Sequence, residues 1–269
     1  MPARDDPPRH AAAGSRILIT GASGDLGGAL ARACAGPDVQ LSLWGRDPDR
    51  LAAIAEACLA AGAKVETRSL DIADVDAAIA AARSEDMAAP FDLALLVAGL
   101  GETRAPGDLV EAAELVARLG TVNFTAPAAI GAALGERMAA RRRGALVFIG
   151  SAAAFHALPF AAAYSGTKAG LARFADALRL NLRPHGVTVT LVSPGFIDTA
   201  AGRRQAGSQA GTRPFALSPD VVAHRIMRAV QRRQAHLILP WPFALLRLFD
   251  RALPAPLRDR LLLSLTPPA

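Results

Sequence analysis

The feature that most constrains this chain is an alternation of two kinds of segment. Short apolar, β-branched runs read as strands: Arg16–Thr20, Val39–Trp44, Lys64–Leu70, Phe91–Val97, Ala145–Gly150, Val187–Ser193 and His236–Leu239. Between them residues 25–35, 48–62, 73–86, 107–119, 121–141, 162–182 and 218–233 carry helical period, with a break predicted near Gly120. Ser218-Pro219-Asp220 is a cap-like helix start. Strands alternating with helices of this length predict an α/β fold, a doubly wound parallel sheet of about seven strands with helices on both faces.

The bulk numbers bound the rest. A chain of 269 residues with 52% hydrophobic content can bury one large core, and no long linker divides residues 15–239. Residues 1–14 read as a disordered leader without the apolar stretch of a signal peptide. The formal charge of +6 suggests a nucleic-acid partner, but the arginines are scattered, with Arg141–Arg143, Arg203–Arg204 and Arg232–Arg233 the only short clusters. Aromatic residues are 5%, too few for a base-stacking platform, so no nucleic acid is expected. Two cysteines, Cys34 and Cys58, lie in alanine-rich helical stretches. A disulfide framework or metal site is not expected, and a reducing, cytoplasmic compartment fits. No apolar run is long enough to span a membrane.

Two segments depart from the rhythm. Residues 196–216 are rich in Gly, Ser, Thr, Gln and Arg, and read as a mobile substrate loop or a disordered excursion. In residues 240–269 two sets of apolar side chains are interleaved with arginine and divided by Pro254 and Pro256. They predict an amphipathic helical tail. It could meet a membrane surface; a flap over the pocket or a subunit interface is the favoured reading.

The first strand runs straight into G-A-S-G-D-L-G, residues 21–27, and then into a helix. This is the Rossmann-like arrangement in which backbone amides and a helix N-terminus meet a pyrophosphate. Gly21, Gly24 and Gly27 allow the close approach, and Ser23, Asp25 and Leu26 complete the turn. The second strand ends in Gly45-Arg46-Asp47, about 20 residues on, where a ribose 2′ position is read. A carboxylate there signals NAD. Arg46 suits a 2′-phosphate, so NADP(H) is favoured over NAD(H), although Asp47 clouds the choice.

Tyr164 is the only tyrosine, and Lys168, four residues on, is one of two lysines. On a helix the two share a face. A nearby cation favours a phenolate, so Lys168 should lower the Tyr164 pKa and make it a general acid. A buried tyrosine beside a surface lysine fits the pair equally well. Upstream lie Ser151, thirteen residues before Tyr164 at the end of a strand, and Asn123, one of two asparagines. Ligands of open α/β sheets bind beyond the carboxyl ends of the strands. The glycine turn, Ser151 and Pro194-Gly195 should therefore face one crevice.

With T-G-A-S-G-D-L-G, the D-I after the third strand, A-G after the fourth, N-F-T-A-P, I-G-S, Y-S-G-T-K and S-P-G-F-I-D-T, the chain resembles a short-chain dehydrogenase/reductase of the shorter, single-domain branch over residues 15–200. The resemblance implies an NAD(P)-dependent oxidoreductase interconverting an alcohol and a carbonyl. It implies that Tyr164 exchanges the proton, Lys168 lowers its pKa and holds the nicotinamide ribose, Ser151 binds the substrate oxygen, and Asn123 holds a water of the proton relay. It places Asp71 and Ile72 at the adenine, Ala98 and Gly99 along the cofactor, and Pro194, Gly195, Ile197 and Thr199 at the nicotinamide end. It also implies a homodimer or homotetramer formed through the helices that contain Asn123 and Tyr164. Phe155, His156, Leu158, Phe160 and Phe196 flank the site and suggest a bulky apolar substrate. Two departures stand out: Asp25 where the pattern has glycine, and Val97 where asparagine precedes Ala98-Gly99. The glycine spacing also fits the longer branch with its nucleotide-sugar epimerases. A cofactor-binding sensor or scaffold without chemistry is the remaining alternative.

Overall fold

Each apolar run is followed by a helix that crosses back over the sheet, a connection that pairs strands in parallel. The computed structural model describes residues 14–105, 107–200, 202, 215–245, 247 and 253–264. The predicted leader lies almost wholly outside these residues, and the loop at 196–216 and the tail lie partly outside them. The strands are β1 (Arg16–Thr20), β2 (Gln40–Gly45), β3 (Lys64–Ser69), β4 (Leu93–Leu96), β5 (Gly144–Ile149), β6 (Val187–Pro194) and β7 (His236–Leu239). They form one sheet in the order β3-β2-β1-β4-β5-β6-β7, with every neighbouring pair parallel.

The helices are α1 (Asp25–Cys34), α2 (Pro48–Ala60), α3 (Val75–Ala88), α4 (Ala113–Gly120), α5 (Ala126–Ala140), α6 (Ala162–Leu182), α7 (Pro219–Gln231) and α8 (Ala255–Ser264). Strand side chains alternate between two cores. Ile17, Ile19, Leu41 and Leu43 pack with Leu30 of α1, Leu51 of α2 and Ile226 of α7. Leu18, Leu96 and Phe148 pack with Ala82 of α3, Ile130 and Leu134 of α5 and Leu171 of α6. Full burial of each such large side chain contributes about 1.5–3 kcal/mol. The chain direction across the sheet reverses between β1 and β4, so the crossovers from these two strands leave on opposite faces. A crevice opens at their carboxyl ends.

Two expectations about the helices are corrected. Residues 107–112 form turn and bend rather than helix, and α4 starts at Ala113. Gly120 does not break the helix: its φ/ψ of −55/−49° is helical, and residues 121–125 make one π turn that leads into α5. The cause is Pro127, at the start of α5. It has no N–H for the carbonyl of Asn123, and the helix widens there, with Ala126 N–H reaching back to the Thr121 carbonyl.

A charged cluster stiffens the side of the sheet away from the crevice. Asp86 of α3 is fully buried and accepts from Phe91 N–H (2.9 Å), Arg137 Nε (2.6 Å) and Arg141 Nη1 and Nη2 (3.0 and 2.9 Å). Burial alone would push this carboxyl up, but the bonds from Phe91, Arg141 and Arg137 outweigh it and hold it below its ordinary value. Cys34 and Cys58 are free and buried, and burial pushes their thiols up to about 12 and about 11. In the tail, Leu262 of α8 is buried while Leu257, Leu261 and Leu263 are exposed, so the leucines spread round the helix rather than forming one stripe. Among the described residues no helix is long and apolar enough to cross a membrane.

Candidate active site

The crevice is walled first by the glycine turn. Gly21 has φ +70°, and a methyl group there would lie 2.7 Å from Ala98 Cα. A methyl on Gly27 would lie 2.1 Å from the Gly21 carbonyl oxygen. Both positions therefore demand glycine. The turn hands over to α1 at Gly24, which offers no side-chain cap, so the first-turn amides are left for an anion. Ser23 packs against Gly45 at the end of β2, and Leu26 is buried in α1. Thr20 Oγ1 accepts from the N–H of Val97 (3.1 Å) and Ala98 (3.4 Å). A β1 hydroxyl thus holds the backbone at Val97, where the family pattern has asparagine.

The second wall is the end of β4. Asn123, fully buried in the π turn, grips Leu100 with both ends of its amide: Oδ1 accepts from Leu100 N–H (2.7 Å) and Nδ2 donates to Leu100 O (2.8 Å). This fixes the Ala98-Gly99 turn. A methyl on Gly99 would sit 3.2 Å from Asn123 Oδ1 and 3.3 Å from Lys168 Nζ, which shows how closely these groups converge.

Ser151 follows β5 and caps the 3-10 turn Ala152–Phe155, accepting from Ala153 N–H at 3.1 Å. α6 has no cap of its own at Ala161; instead the Glu111 carboxylate accepts from Ala163 N–H (3.1 and 3.2 Å). That helix carries Tyr164 and Lys168 on one face. Lys168 is buried, donates to Ile149 O (2.9 Å), and lies 5.9 Å from the Tyr164 ring centroid. Burial pushes the Lys168 ammonium down to about 8. Tyr164 differs from the expectation: burial pushes its phenol up, and the Ser151 hydroxyl opposes that shift only in part. The reason is that burial disfavours the phenolate more than the Ser151 hydroxyl favours it.

Beyond the ends of β2 and β3 Arg46 and Asp71 form an exposed ion pair at 3.8 Å, and Ile72 is buried. Beyond β6, Ile197 bridges to Leu217, and Thr199 Oγ1 accepts from Gly202 N–H at 3.0 Å. Asp25 neither faces the first-turn amides nor stands unpaired. Its carboxylate accepts from Arg50 Nη2 (2.9 Å) and from Ala200 N–H (2.5 Å).

The model of the short chain dehydrogenase family matches residues 15–209. The chain belongs to the short-chain dehydrogenase family. It is 34% identical over 243 residues to an uncharacterized oxidoreductase of Myxococcus xanthus, covering 90% of this chain and 94% of that one. It is 30% identical to dehydrogenase/reductase SDR family member 7B of Bos taurus, covering 92% of this chain and 80% of that one. A short-chain dehydrogenase from Sphingobium yanoikuyae, solved in complex with NADPH, superposes with a TM-score of 0.78 at 28% identity, covering 95% and 97% of the two chains. This short-chain dehydrogenase is an NAD(P)-dependent oxidoreductase. Its uncapped glycine turn and the converging Asn123, Lys168, Tyr164 and Ser151 fit a dinucleotide lying across the strand ends.

The residues expected to flank the substrate divide. Phe155, His156 and Leu158 line a cavity of about 540 Å³ with Ala162, Ser165, Gly166 and Ala169. These α6 residues belong to a different stripe from Tyr164 and Lys168. Phe196 lies instead edge-on to Phe243 of the tail, with centroids 6.3 Å apart, and Phe243 rests against Gly195. Sequence reading missed Thr20, Glu111, Arg50 and Phe243. Pro127 after Asn123 was the one local signal that could have announced the π turn.

Proposed function

We propose that this dehydrogenase interconverts an alcohol and a ketone or aldehyde, with NADP(H) favoured over NAD(H) and Tyr164 as the general acid/base. The observation that carries the proposal is the buried Lys168, which donates to Ile149 O (2.9 Å) and lies 5.9 Å from the Tyr164 ring on the same face of α6. A nicotinamide cofactor, when bound, would supply the hydride chemistry at the carbonyl carbon in either direction. In reduction, the Ser151 hydroxyl donates to the carbonyl oxygen, and Tyr164 O–H gives its proton to that oxygen as charge develops there. The raised phenol pKa keeps Tyr164 protonated at neutral pH, the state an acid needs. Lys168 stabilises the phenolate left behind. The Asn123 carbonyl receives no bond from Pro127, which suits it to a water linking Lys168 to solvent.

Arg46, exposed beyond β2, is the group suited to a 2′-phosphate. Phe196 and Phe243 beside Gly195 support a bulky apolar substrate. Exposed Val116, Phe124 and Leu180 on α4, the π turn and α6 support a homo-oligomer, whose size light scattering would give.

The test is NADPH consumption by the purified protein over a panel of ketones and aldehydes, with NADH as the control. Tyr164→Phe is expected to reduce turnover by about 100-fold or more while the NADPH Kd stays unchanged. Equal turnover in the two proteins would refute the proposal.

A further inference from the structure

Asp25 carries the inference. It is the first residue of α1, its side chain is 22% exposed, and its two oxygens are used in different directions. One accepts from Arg50 Nη2 (2.9 Å) in the first turn of α2. The other accepts from Ala200 N–H (2.5 Å), the residue after Thr199. The glycine turn and residues 194–199 form opposite walls of the dinucleotide trench, one at the end of β1 and the other beyond β6. β4 and β5 lie between those two strands in the sheet. The Asp25–Ala200 bond therefore ties one wall to the other.

We infer that Asp25 is a positioning residue: a strap that closes the cofactor trench and slows release of the bound dinucleotide. Three features favour this over a carboxylate that merely intrudes on the phosphate site. Its charge is compensated by Arg50, so it brings no bare anion to the trench. Its two oxygens are taken by Arg50 and Ala200 N–H rather than by the first-turn amides of α1. The accepting partner is a backbone amide, so the strap fixes the chain at residue 200 and with it Thr199, whose hydroxyl in turn accepts from Gly202 N–H. A carboxylate accepting a backbone N–H is a charge-assisted bond, stronger than a neutral one. Arg50, itself seated by the turn in which its N–H donates to Asp47 Oδ1 (3.0 Å), keeps that carboxylate aimed.

The inference rests on the dinucleotide trench but on neither the proton chemistry of Tyr164 nor the identity of the substrate. Its test therefore reads cofactor release directly, with whichever of NADPH and NADH the unaltered protein binds more tightly. Stopped-flow displacement of the bound reduced dinucleotide by excess oxidised dinucleotide gives the dissociation rate. Asp25→Ala is expected to release it about tenfold faster, the size of one hydrogen bond to a charged group. KM for the cofactor should rise, and single-turnover hydride transfer from the saturated enzyme should be unchanged. Asp25→Asn keeps an oxygen for Ala200 N–H but loses the charge and the acceptor for Arg50, so it should restore part of the slow release. A general loss of fold would lower the melting temperature of the cofactor-free protein and would not be rescued in release rate by asparagine. Unchanged release in Asp25→Ala, or slower release with tighter binding, overturns the strap; the latter marks Asp25 as a carboxylate that repels the diphosphate.

Discussion

The buried Lys168 makes a prediction that needs neither cofactor nor substrate. An exposed lysine titrates at about 10.4; burial pushes Lys168 down to about 8 in the folded protein. Below about pH 8 the folded state holds a charged ammonium in an apolar place. Its cost relative to the unfolded chain is about 3 kcal/mol, from the difference between those two values. Between about pH 8 and 10.5 the unfolded chain binds the proton and the folded protein does not, so stability rises with pH in that window. The burial cost is complete below the folded value and is progressively relieved above it. From pH 7 to 9.5 the relief is about 2 kcal/mol by the linkage relation. Cys34 and Cys58 act in the opposite sense: their raised values mean that stability is lost as pH rises above the ordinary thiol range. The measurement is therefore a difference. Urea unfolding of wild type and Lys168→Met at both pH values shares the cysteine effect and cancels it. The wild type should gain about 2 kcal/mol on the variant as pH rises. Parallel stability curves would show that Lys168 is not desolvated as the geometry implies.

Two further predictions concern the scaffold around the site. Asp86→Ala removes the common acceptor of Arg137, Arg141 and Phe91 N–H, leaving buried donors unpaired, and should cost about 3–5 kcal/mol in urea unfolding. Gly27→Ala puts a methyl group 2.1 Å from the Gly21 carbonyl oxygen, so the turn must shift. NADPH affinity measured by fluorescence titration should fall by about tenfold or more, a 1.4 kcal/mol loss at the least.

What the sequence announced were features written in local pattern. The alternation of period predicted all seven strands, and both α6 and β7 begin and end where their apolar patterns do. Tyr164 and Lys168 could be put on one face because i and i+4 spacing is a property of any helix. What it concealed depends on residues far apart in the chain. Asp86 meets Arg141 across 55 positions and Asp25 meets Ala200 across 175, and no local pattern encodes either. The Tyr164 pKa failed for a related reason. Spacing shows that a cation is near, while the balance between cation and desolvation is set by what surrounds both. The π turn is the intermediate case: Pro127 was visible, but Gly120 drew the predicted break because glycine is the more familiar helix breaker.

Among the described residues, the two buried charged groups make opposite use of burial. Asp86 receives four hydrogen bonds from three partners, and its proton affinity falls although water is excluded. That is a charge built to stay fixed, and it ties α3, α5 and the start of β4 together. Lys168 has three donors and uses one, on Ile149 O, so burial wins and its proton is loosened to about 8. A charge left incompletely satisfied inside a protein is costly and persists only where the surroundings enforce it. Here the enforcement is visible: Asn123 fixes Leu100 beside it, Glu111 caps the helix that carries it, and Ile149 holds it at the strand end. A lysine titrating close to neutral, beneath a phenol kept protonated, is a proton donor and acceptor in waiting. The cost that Lys168 imposes on folding is thus the property that would fit it to the proton chemistry proposed for the crevice.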